Sequence, residues 1–349
     1  MGYLTPEQFE KESNRALNIV DKPSLGTARF PDFLDIVRRQ LKTEYQETDL
    51  TNQGLRIFTT LDPVAQTRVQ NSFRESVARL AGANPKRLKD LQGAVLISRP
   101  ENGELIAAVG STQDFTGFNR TIDAKRQVGS LLKPVIYLSA IESGRYNWAT
   151  QIEDSPISIP VENNKSWTPK NYSGSGHGYV PLAQALANSY NLSAVRLGQE
   201  FGLSTFKNNL VKFGVTSKIP NYPSIFLGAV DMSPMEMMCI YGNFATGGFK
   251  YPVKAIRTVA DSNGRLLDRY GLNVQQTIEP SSAYILNYGL QQVMSSGTGK
   301  SAYNTFSSEL KLAGKSGTTN DTRDSWFAGY SGNNLAVVWL GLDDNKVTG

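Results

Sequence analysis

The sequence contains one cysteine, Cys239, and one histidine, His177, and this scarcity excludes several kinds of chemistry. A lone cysteine cannot form an internal disulfide or supply a thiolate-based zinc or iron–sulfur site. Cys239 lies in the apolar segment MEMMCIYG, which predicts a buried helix and an inert thiol. His177 lies between glycines in SGSGHGYV, which predicts an exposed loop. Nucleophilic chemistry in this chain therefore needs a base other than imidazole.

Long apolar runs and runs of basic residues are also lacking. No segment approaches the roughly 18 apolar residues of a membrane span, and MGYLTPEQFEKE has no signal-peptide pattern, so we expect the chain as given to be soluble. An excised piece of a larger protein would look the same. The net charge of +5 is not concentrated in a run, so no nucleic-acid partner is expected. We also expect no metal and no cofactor.

The order of predicted elements indicates a layered α/β fold with a central antiparallel sheet flanked by helices. Helical spacing in FPDFLDIVRRQLKTEY and a strand in GLRIFTTLD come first. A helix capped by Asp62 follows, with Pro63 at its first position. Its predicted apolar face carries Val69, Phe73, Val77 and Leu80, and AGANPKRLKD is a polar link after it.

The sheet itself is predicted from two distant regions. GAVLISRPENGELIAAVGS indicates a hairpin that turns at Asn102-Gly103. LKLAGKSGTT, DSWFAGYSG and LAVVWLGLD indicate three late strands separated by short turns. We expect the early hairpin and the late strands to share one sheet.

Three short motifs point to the chemistry, and only one combination places them in a known order. Lys-Ser-Gly-Thr occurs once, beginning at Lys315. Ser-x-Asn occurs at 189–191 and 331–333, and Ser-x-x-Lys begins at Ser130, Ser204 and Ser308. Ser130, Ser189 and Lys315 alone give the order that is the signature of class A β-lactamases and penicillin-binding proteins.

The segment RQVGSLLKPVIYLSAIESG, residues 126–144, predicts a helix that buries most of one side. Ser130 lies at its start, where unpaired N–H groups favour developing negative charge, and Lys133 lies beside it one turn later. Pro134 is tolerated within that first turn. Lys133 is the nearest candidate base, although deprotonating an ordinary lysine at pH 7 costs about 4.6 kcal/mol. Burial and the charge of Lys315 would lower this cost.

The other two motifs are predicted on a turn and a strand. PLAQALA and LSAVRLGQEFG indicate two helices, the second ending at Gly202, with NSYN as the turn between them. Ser189 and Asn191 can then point together while Tyr190 points elsewhere. Gly317, on the strand LKLAGKSGTT, would let a substrate backbone lie close alongside.

Residues from about 54 to the end resemble the transpeptidase region of class A penicillin-binding proteins. GLRIFTTLDPVAQ, FNRTIDAKRQVGSLLKP, WTPKNY, GKSGTTND and DSWFAGY are all similar to family segments. No domain is inserted between the first two motifs, which favours the 1b type. Ser316 replaces the commoner threonine but keeps its hydroxyl. The family's membrane anchor, glycosyltransferase domain and final helix are missing from this sequence.

The resemblance implies a penicillin-binding protein/serine β-lactamase-like fold, with a linker at 1–90 and a transpeptidase domain at 91–349. It implies that Ser130 is acylated by the D-Ala-D-Ala end of a peptidoglycan stem peptide, releasing D-alanine, and that an amine of a neighbouring stem takes the acyl group. β-Lactams would inhibit by acylating the same serine. The implied catalytic residues are Ser130, Lys133, Ser189, Asn191 and Lys315.

The remaining roles are implied in the same way. Backbone N–H groups of Ser130 and Thr318 would form the oxyanion hole. The implied substrate-binding residues are Ser316, Gly317, Thr318, Thr319, Trp167, Asn171, Gly297 and Thr298. The full-length protein would act at the periplasmic face of the bacterial inner membrane, held there only by its missing anchor. Cell-wall synthesis and division proteins are its expected partners.

Three other functions share these motifs. A class A β-lactamase needs a Glu-x-x-Leu-Asn segment to activate water, and residues 201–230 contain no acidic residue. A D,D-carboxypeptidase would use water as acceptor without any further residue that the sequence identifies. A non-catalytic β-lactam sensor or wall-binding module keeps the same serine and lysine. The linker and segment resemblances favour the transpeptidase.

Overall fold

The computed structural model describes residues 5, 29–46, 50, 54–112, 115–161 and 165–348 of the 349-residue chain. Apart from Thr5, the segment MGYLTPEQFEKE lies outside these residues. The α-helices are α1 (Pro31–Leu41), α2 (Pro63–Ala83), α3 (Pro85–Leu88), α4 (Lys133–Glu142), α5 (Leu182–Ala187), α6 (Asn191–Lys212), α7 (Pro234–Ala245) and α8 (Pro280–Ser295). Short 3₁₀ helices span Gly129–Leu132, Pro223–Leu227, Lys300–Asn304, Ser308–Leu310 and Asn320–Thr322.

The strands form one large sheet and several small ones. They are β1 (Arg56–Thr59), β2 (Gln92–Arg99), β3 (Glu104–Val109), β4 (Arg126–Gln127), β5 (Gln151–Asp154), β6 (Ile159–Val161), β7 (Lys165–Trp167), β8 (Gly178–Pro181), β9 (Asp231–Met232), β10 (Phe249–Lys250), β11 (Ile256–Ala260), β12 (Leu266–Arg269), β13 (Gln275–Gln276), β14 (Ala313–Thr318), β15 (Asp324–Tyr330) and β16 (Leu335–Gly341). The large sheet is antiparallel in the order β14-β15-β16-β2-β3. This confirms the predicted sheet, and it places β14 at one edge.

Alternation along the strands divides the core between the two faces of this sheet. On one face, Leu96, Val337 and Trp339 are fully buried in the main core, which the helices following the hairpin complete. On the other face, Val95 packs with Val77 and other apolar residues of α2 and its surroundings. Helices α7 and α8 pack on the sheet, and α4 packs against α6 and α8, so α4 lies inside the domain.

The segment 126–144 differs from its prediction. Residues 126–127 form a short strand paired with β9, and Gly129–Leu132 is a 3₁₀ turn that leads into α4. Every side chain from Leu131 to Ile141 is buried, so the helix is enclosed on all sides and not on one side alone. An all-round apolar helix of this kind is typical of a domain centre. Pro134 lies in the first turn, as predicted.

Three further predictions need correction or refinement. Asp62 caps α2 through the N–H groups of Val64 and Ala65, as predicted, but Leu80 on its predicted buried face is 37% exposed. The predicted polar link is partly helical, because α2 continues to Ala83 and α3 begins at Pro85. Gly202 has a non-helical backbone (φ 82°, ψ 156°), so the helical segment that begins at Asn191 is interrupted there, as predicted, and a second segment continues to Lys212.

Two other predictions concern the cysteine and membrane-spanning helices. Cys239 lies on α7 and is half-buried, as expected for a packing residue. Within the described ranges, no helix has both the length and the apolar character needed to cross a bilayer.

Candidate active site

Ser130 lies in a turn that is pressed against the edge strand β14. Gly129, with φ +54°, precedes it, and a Cβ atom on Gly129 would lie 2.6 Å from the carbonyl oxygen of Thr318. A Cβ atom on Gly317 would lie 2.7 Å from the carbonyl oxygen of Val128. Two glycines thus allow the turn and the strand to approach closely. Gly317 makes room for this turn, and its predicted role beside a substrate backbone stays a prediction.

Further hydrogen bonds hold the same turn from behind. Tyr241 of α7 is fully buried and donates its hydroxyl to the carbonyl oxygen of Leu131 at 2.9 Å. Trp326 of β15 donates its Nε1–H to the carbonyl oxygen of Gln127 at 2.9 Å. These contacts come from elements far away in sequence, and no local signal around Ser130 indicates them. They fix the position of the serine relative to the sheet.

Ser189 lies in the turn between α5 and α6, and its backbone has a left-handed conformation with φ 58°. Such a conformation costs a non-glycine residue about 1–2 kcal/mol, so the surroundings must hold it. Asn191 is the first residue of α6, and its side chain points toward the same place as that of Ser189. Tyr190 points elsewhere and stacks on His177. We call residues 189–191 the Ser-x-Asn turn.

The amines of Lys133 and Lys315 converge on the hydroxyl of Ser189. Lys133 Nζ lies 3.2 Å from Ser189 Oγ, 2.5 Å from the carbonyl oxygen of Ser189 and 2.6 Å from Asn191 Oδ1. Lys315 Nζ lies 2.8 Å from Ser189 Oγ and 3.1 Å from the carbonyl oxygen of Ser316. The three motifs that the sequence identified, 59 and 126 residues apart, therefore meet at one point.

Burial makes both amines easier to deprotonate. Both lysines are 0% exposed. The pKa of Lys133 falls well below its usual value, because burial disfavours the ammonium form and because the charge of Lys315 repels it. A nearby carboxylate, Asp154, opposes this decrease in part. Burial also lowers the pKa of Lys315, to about 7. Burial therefore favours the neutral form of both amines, and the charge of Lys315 favours it further at Lys133.

The hydrogen bonds of Lys133 can be made by an ammonium with three donors and also by a neutral amine. A neutral lysine has two N–H donors and one lone pair. The two shortest contacts, to the Ser189 carbonyl and to Asn191 Oδ1, are to oxygens that only accept, and they use both donors. Asn191 Nδ2 in turn donates to the carbonyl oxygen of Lys170 at 2.7 Å, which fixes the orientation of the amide. In the neutral form, which burial favours, the lone pair of Lys133 is left to accept a proton.

The structure places some predicted groove residues beside an open cavity. A cavity of about 320 Å³ is lined by Trp167, Thr318, Asn191, Gln127 and residues of the 3₁₀ helix around Ser224. Along β14, Thr318 is exposed and Ser316 is half-buried, whereas Lys315 and Gly317, which alternate with them, are buried. Ser316 donates its hydroxyl to Thr298 Oγ1 at 3.0 Å on the rim. This arrangement can receive an extended chain along β14.

Asn171, Gly297 and Thr319 are buried, and each makes a structural contact. Thr319 also lines the cavity beside Thr318, so its role in the groove stays a prediction. Gly297 packs against the carbonyl of Ala187 at the end of α5, where a Cβ atom would overlap it. Thr319 Oγ1 accepts a hydrogen bond from the N–H of Asp324 at 2.9 Å and so closes the turn between β14 and β15. Asn171 Oδ1 accepts from the N–H groups of Asn191, at 2.6 Å, and of Leu192. It therefore caps α6.

Sequence analysis missed one buried charge, Asp154, at the end of β5. This carboxylate is 0% exposed and lies behind the Ser-x-Asn turn. Burial alone would raise its pKa, but hydrogen bonds from His177, Ser193 and Asn171 together hold the pKa below its usual value. His177 lies in an exposed loop, as predicted, and its ring contacts this buried carboxylate. An aspartate before Ser-Pro gives no signal of this role in the sequence.

The described residues offer no group of three or more histidine, cysteine, aspartate or glutamate side chains that could hold a metal ion. What they offer is the Ser189 hydroxyl between two buried amines whose pKa values are lowered. Such an arrangement suits acyl transfer through a serine ester.

Comparison with known proteins agrees with this geometry. The family described as the penicillin binding protein transpeptidase domain matches residues 93–348. Penicillin-binding protein 1B of Vibrio cholerae is 36% identical over 348 residues, which are 99% of this chain and 44% of that protein. This chain thus spans less than half the length of that relative.

Solved structures show the same fold. The crystal structure of penicillin-binding protein 1A from Haemophilus influenzae superposes with a TM-score of 0.84 at 20% identity, covering 99% of this chain and 70% of that one. The PonA1 protein from Mycobacterium tuberculosis, in complex with penicillin V, superposes with a TM-score of 0.77 at 25% identity, covering 90% of this chain and 84% of that one. With the match to the family across most of the sequence, these similarities establish that the chain belongs to the penicillin-binding protein transpeptidase family, whose members are serine acyltransferases.

Proposed function

We propose that this chain is a D,D-transpeptidase that cross-links peptidoglycan, with Ser130 as its nucleophile. One observation carries the proposal. The Ser189 hydroxyl lies within 3.2 Å of two fully buried lysine amines, and one of these, Lys133, follows Ser130 by one helical turn. Membership of the family and the close approach of the Ser130 turn to β14, the strand that carries Lys315, support the assignment.

In the first half-reaction, Ser130 Oγ attacks the carbonyl carbon between the two terminal D-alanines. Lys133 accepts the hydroxyl proton on its lone pair. The backbone N–H groups of Ser130 and Thr318 stabilise the resulting oxyanion. Ser189 then relays a proton to the departing amine, and the C–N bond breaks to release D-alanine. An acyl ester on Ser130 remains.

In the second half-reaction, an amine of a neighbouring stem attacks the ester carbon. The amine loses a proton as its new C–N bond forms, and Ser130 recovers a proton as the C–O bond breaks. Asn191 holds the substrate amide during both steps. Lys315, Ser316 and Thr318 bind the terminal carboxylate, for which a buried cation is suited. A β-lactam would follow the first half-reaction and stop there.

The domain boundaries and the surroundings are part of the same proposal. Residues 1–90 are the linker and residues 91–349 the transpeptidase domain, a division supported by the start of the family match at residue 93. The full-length protein works at the periplasmic face of the inner membrane, where its substrate lies. Its partners there are stem peptides, β-lactams, and cell-wall synthesis and division proteins.

The direct test is incubation with a D-Ala-D-Ala stem peptide and an amine acceptor, followed by mass spectrometry. A transpeptidase gives the cross-linked product, and a Ser130→Ala variant gives none. A D,D-carboxypeptidase gives only the shortened acid, and a sensor gives an ester that persists on the protein. A β-lactamase is distinguished by rapid loss of the penicilloyl ester. Any of these three results in place of cross-linking would refute the proposal.

The pH dependence of acylation tests the roles of the two lysines. The second-order rate constant reports the free enzyme. It should fall above about pH 7, because Lys315 has a pKa of about 7 and an uncharged amine no longer attracts the substrate carboxylate. The expected fall is about tenfold per pH unit. Lys315→Arg keeps its charge, so its falling limb should move beyond pH 10. A wild-type rate that still rises between pH 7 and 9 would contradict the assignment.

A further inference from the structure

The only histidine of the chain lies directly behind the Ser-x-Asn turn. Its ring is parallel to the ring of Tyr190, with centroids 4.0 Å apart and planes 8° from parallel. Tyr190 is the middle residue of the turn, and its neighbours on either side are Ser189 and Asn191. On its other side, His177 Nδ1 lies 2.7 Å from Asp154 Oδ2. The imidazole is thus held between a buried carboxylate and the turn that contacts both lysines.

The carboxylate of Asp154 connects this histidine to the start of α6. It accepts hydrogen bonds from the N–H and hydroxyl of Ser193, at 3.0 and 2.7 Å, in the first turn of that helix. It also accepts one at 2.6 Å from Asn171 Nδ2, whose side-chain oxygen caps the same helix at Asn191. The buried carboxylate of Asp154 therefore holds both the ring of His177 and Ser193, in the first turn of α6.

The loop that carries His177 is itself fixed on β5. The N–H of His177 donates to the carbonyl oxygen of Asp154 at 2.8 Å, and Gly178 pairs with Asp154 where β8 joins β5. Gly176 packs so close to β5 that a Cβ atom would overlap the Asp154 carbonyl. The backbone that carries the imidazole is therefore anchored to a strand.

The Ser-x-Asn turn requires such support. Ser189 has a left-handed backbone and must place Oγ between two amines, 3.2 and 2.8 Å away. A displacement of about 1 Å in a catalytic group can reduce a rate about 100-fold. Resting on the proposed function of this site, we propose that His177 is a positioning residue, which holds the Ser-x-Asn turn through its contacts with Asp154 and Tyr190.

Four variants separate the two contacts of the ring from each other and from folding. His177→Ala removes both contacts, and His177→Phe keeps an aromatic ring but removes the donor to Asp154. His177→Asn keeps a donor near the position of Nδ1 but removes the ring. Tyr179→Ala is the control, because this side chain is two residues away and 72% exposed.

The measurement is stopped-flow acylation by a fluorescent penicillin, which gives the binding constant and the acylation rate constant separately. Each variant is studied well below its own unfolding temperature. We expect His177→Ala to lower the acylation rate constant about 10- to 100-fold with little change in binding, and Tyr179→Ala to match wild type. His177→Asn should recover most of the loss, since the hydrogen bond to the buried carboxylate is the stronger contact.

The outcomes distinguish this proposal from the proposed function. Normal acylation of every folded His177 variant, with only the unfolding temperature lowered, would show that the histidine is merely structural. If His177→Ala does not fold, the other two variants are compared. An acylation rate constant for His177→Asn that is no higher than that for His177→Phe would also show that the histidine is merely structural. A wild-type protein that penicillin does not acylate would instead refute the proposed function, and the positioning role with it.

Discussion

Lys133→Met should give a folded protein that penicillin no longer acylates. Methionine fills a similar volume but has no lone pair on nitrogen, so nothing accepts the proton of Ser130. Removing a general base lowers a rate by about 10²- to 10⁴-fold. Labelling of Ser130 by a fluorescent penicillin, followed over hours, measures the loss. Lys133→Ala should lose labelling equally, although it leaves a cavity where the side chain was.

The same variant should be at least as stable as wild type at pH 7. The pKa of Lys133 is lowered in the folded protein, so the unfolded chain binds more protons between that value and the ordinary lysine pKa. The free energy of unfolding therefore rises with pH between the two pKa values. At a pH below the folded-state pKa, the buried ammonium destabilises the fold. Methionine removes the cost of burying this amine. The increase in the unfolding temperature of Lys133→Met over wild type should therefore shrink as the pH approaches 10.

Lys207→Met provides the matched control. Lys207 ends another Ser-x-x-Lys motif, beginning at Ser204, on the second half of α6. Its replacement should leave acylation unchanged. Labelling of Lys133→Met at the wild-type rate would show that Lys133 is not the base.

The sequence is sufficient to predict the parts of the site that local patterns encode. The order of Ser130, Ser189 and Lys315 identified three segments that meet through hydrogen bonds to Ser189 Oγ. Alternating and continuous apolar runs predicted the five strands of the sheet, because a strand buried on one or both faces leaves a clear pattern. The same reasoning predicted that Tyr190 points away from Ser189 and Asn191.

What the sequence did not reveal are contacts between elements distant along the chain. Gly317 carries no mark that distinguishes a glycine facing a substrate from one packed on Val128. Asn171 is equally suited to a groove and to the cap of α6, and only the structure shows it buried at the cap. Asp154 and His177 lie 23 residues apart, and nothing local indicates that they pair. Sequence patterns thus predict elements and reacting groups, and they do not predict the shell that positions them.

Gly228→Ala tests that supporting shell at the turn of Ser130. Gly228 has a left-handed backbone (φ 77°), and a Cβ atom there would overlap the backbone of Gly129. The turn has no room to move away, because on its other side Gly129 already contacts the Thr318 carbonyl of β14. We therefore expect Ser130 to be displaced and acylation to fall about 100-fold, with a loss of about 2–5 kcal/mol in the free energy of unfolding.

Gly144→Ala separates the conformational cost from the steric one. Gly144 also has a left-handed backbone (φ 70°), but no atom lies within 4 Å of the position that its Cβ would occupy. This control should lose only about 1–2 kcal/mol of stability and keep the wild-type rate of acylation. Urea unfolding and penicillin acylation on both variants make the comparison. Equal acylation by the two alanine variants would show that the close approach of Gly228 to Gly129 does not position Ser130.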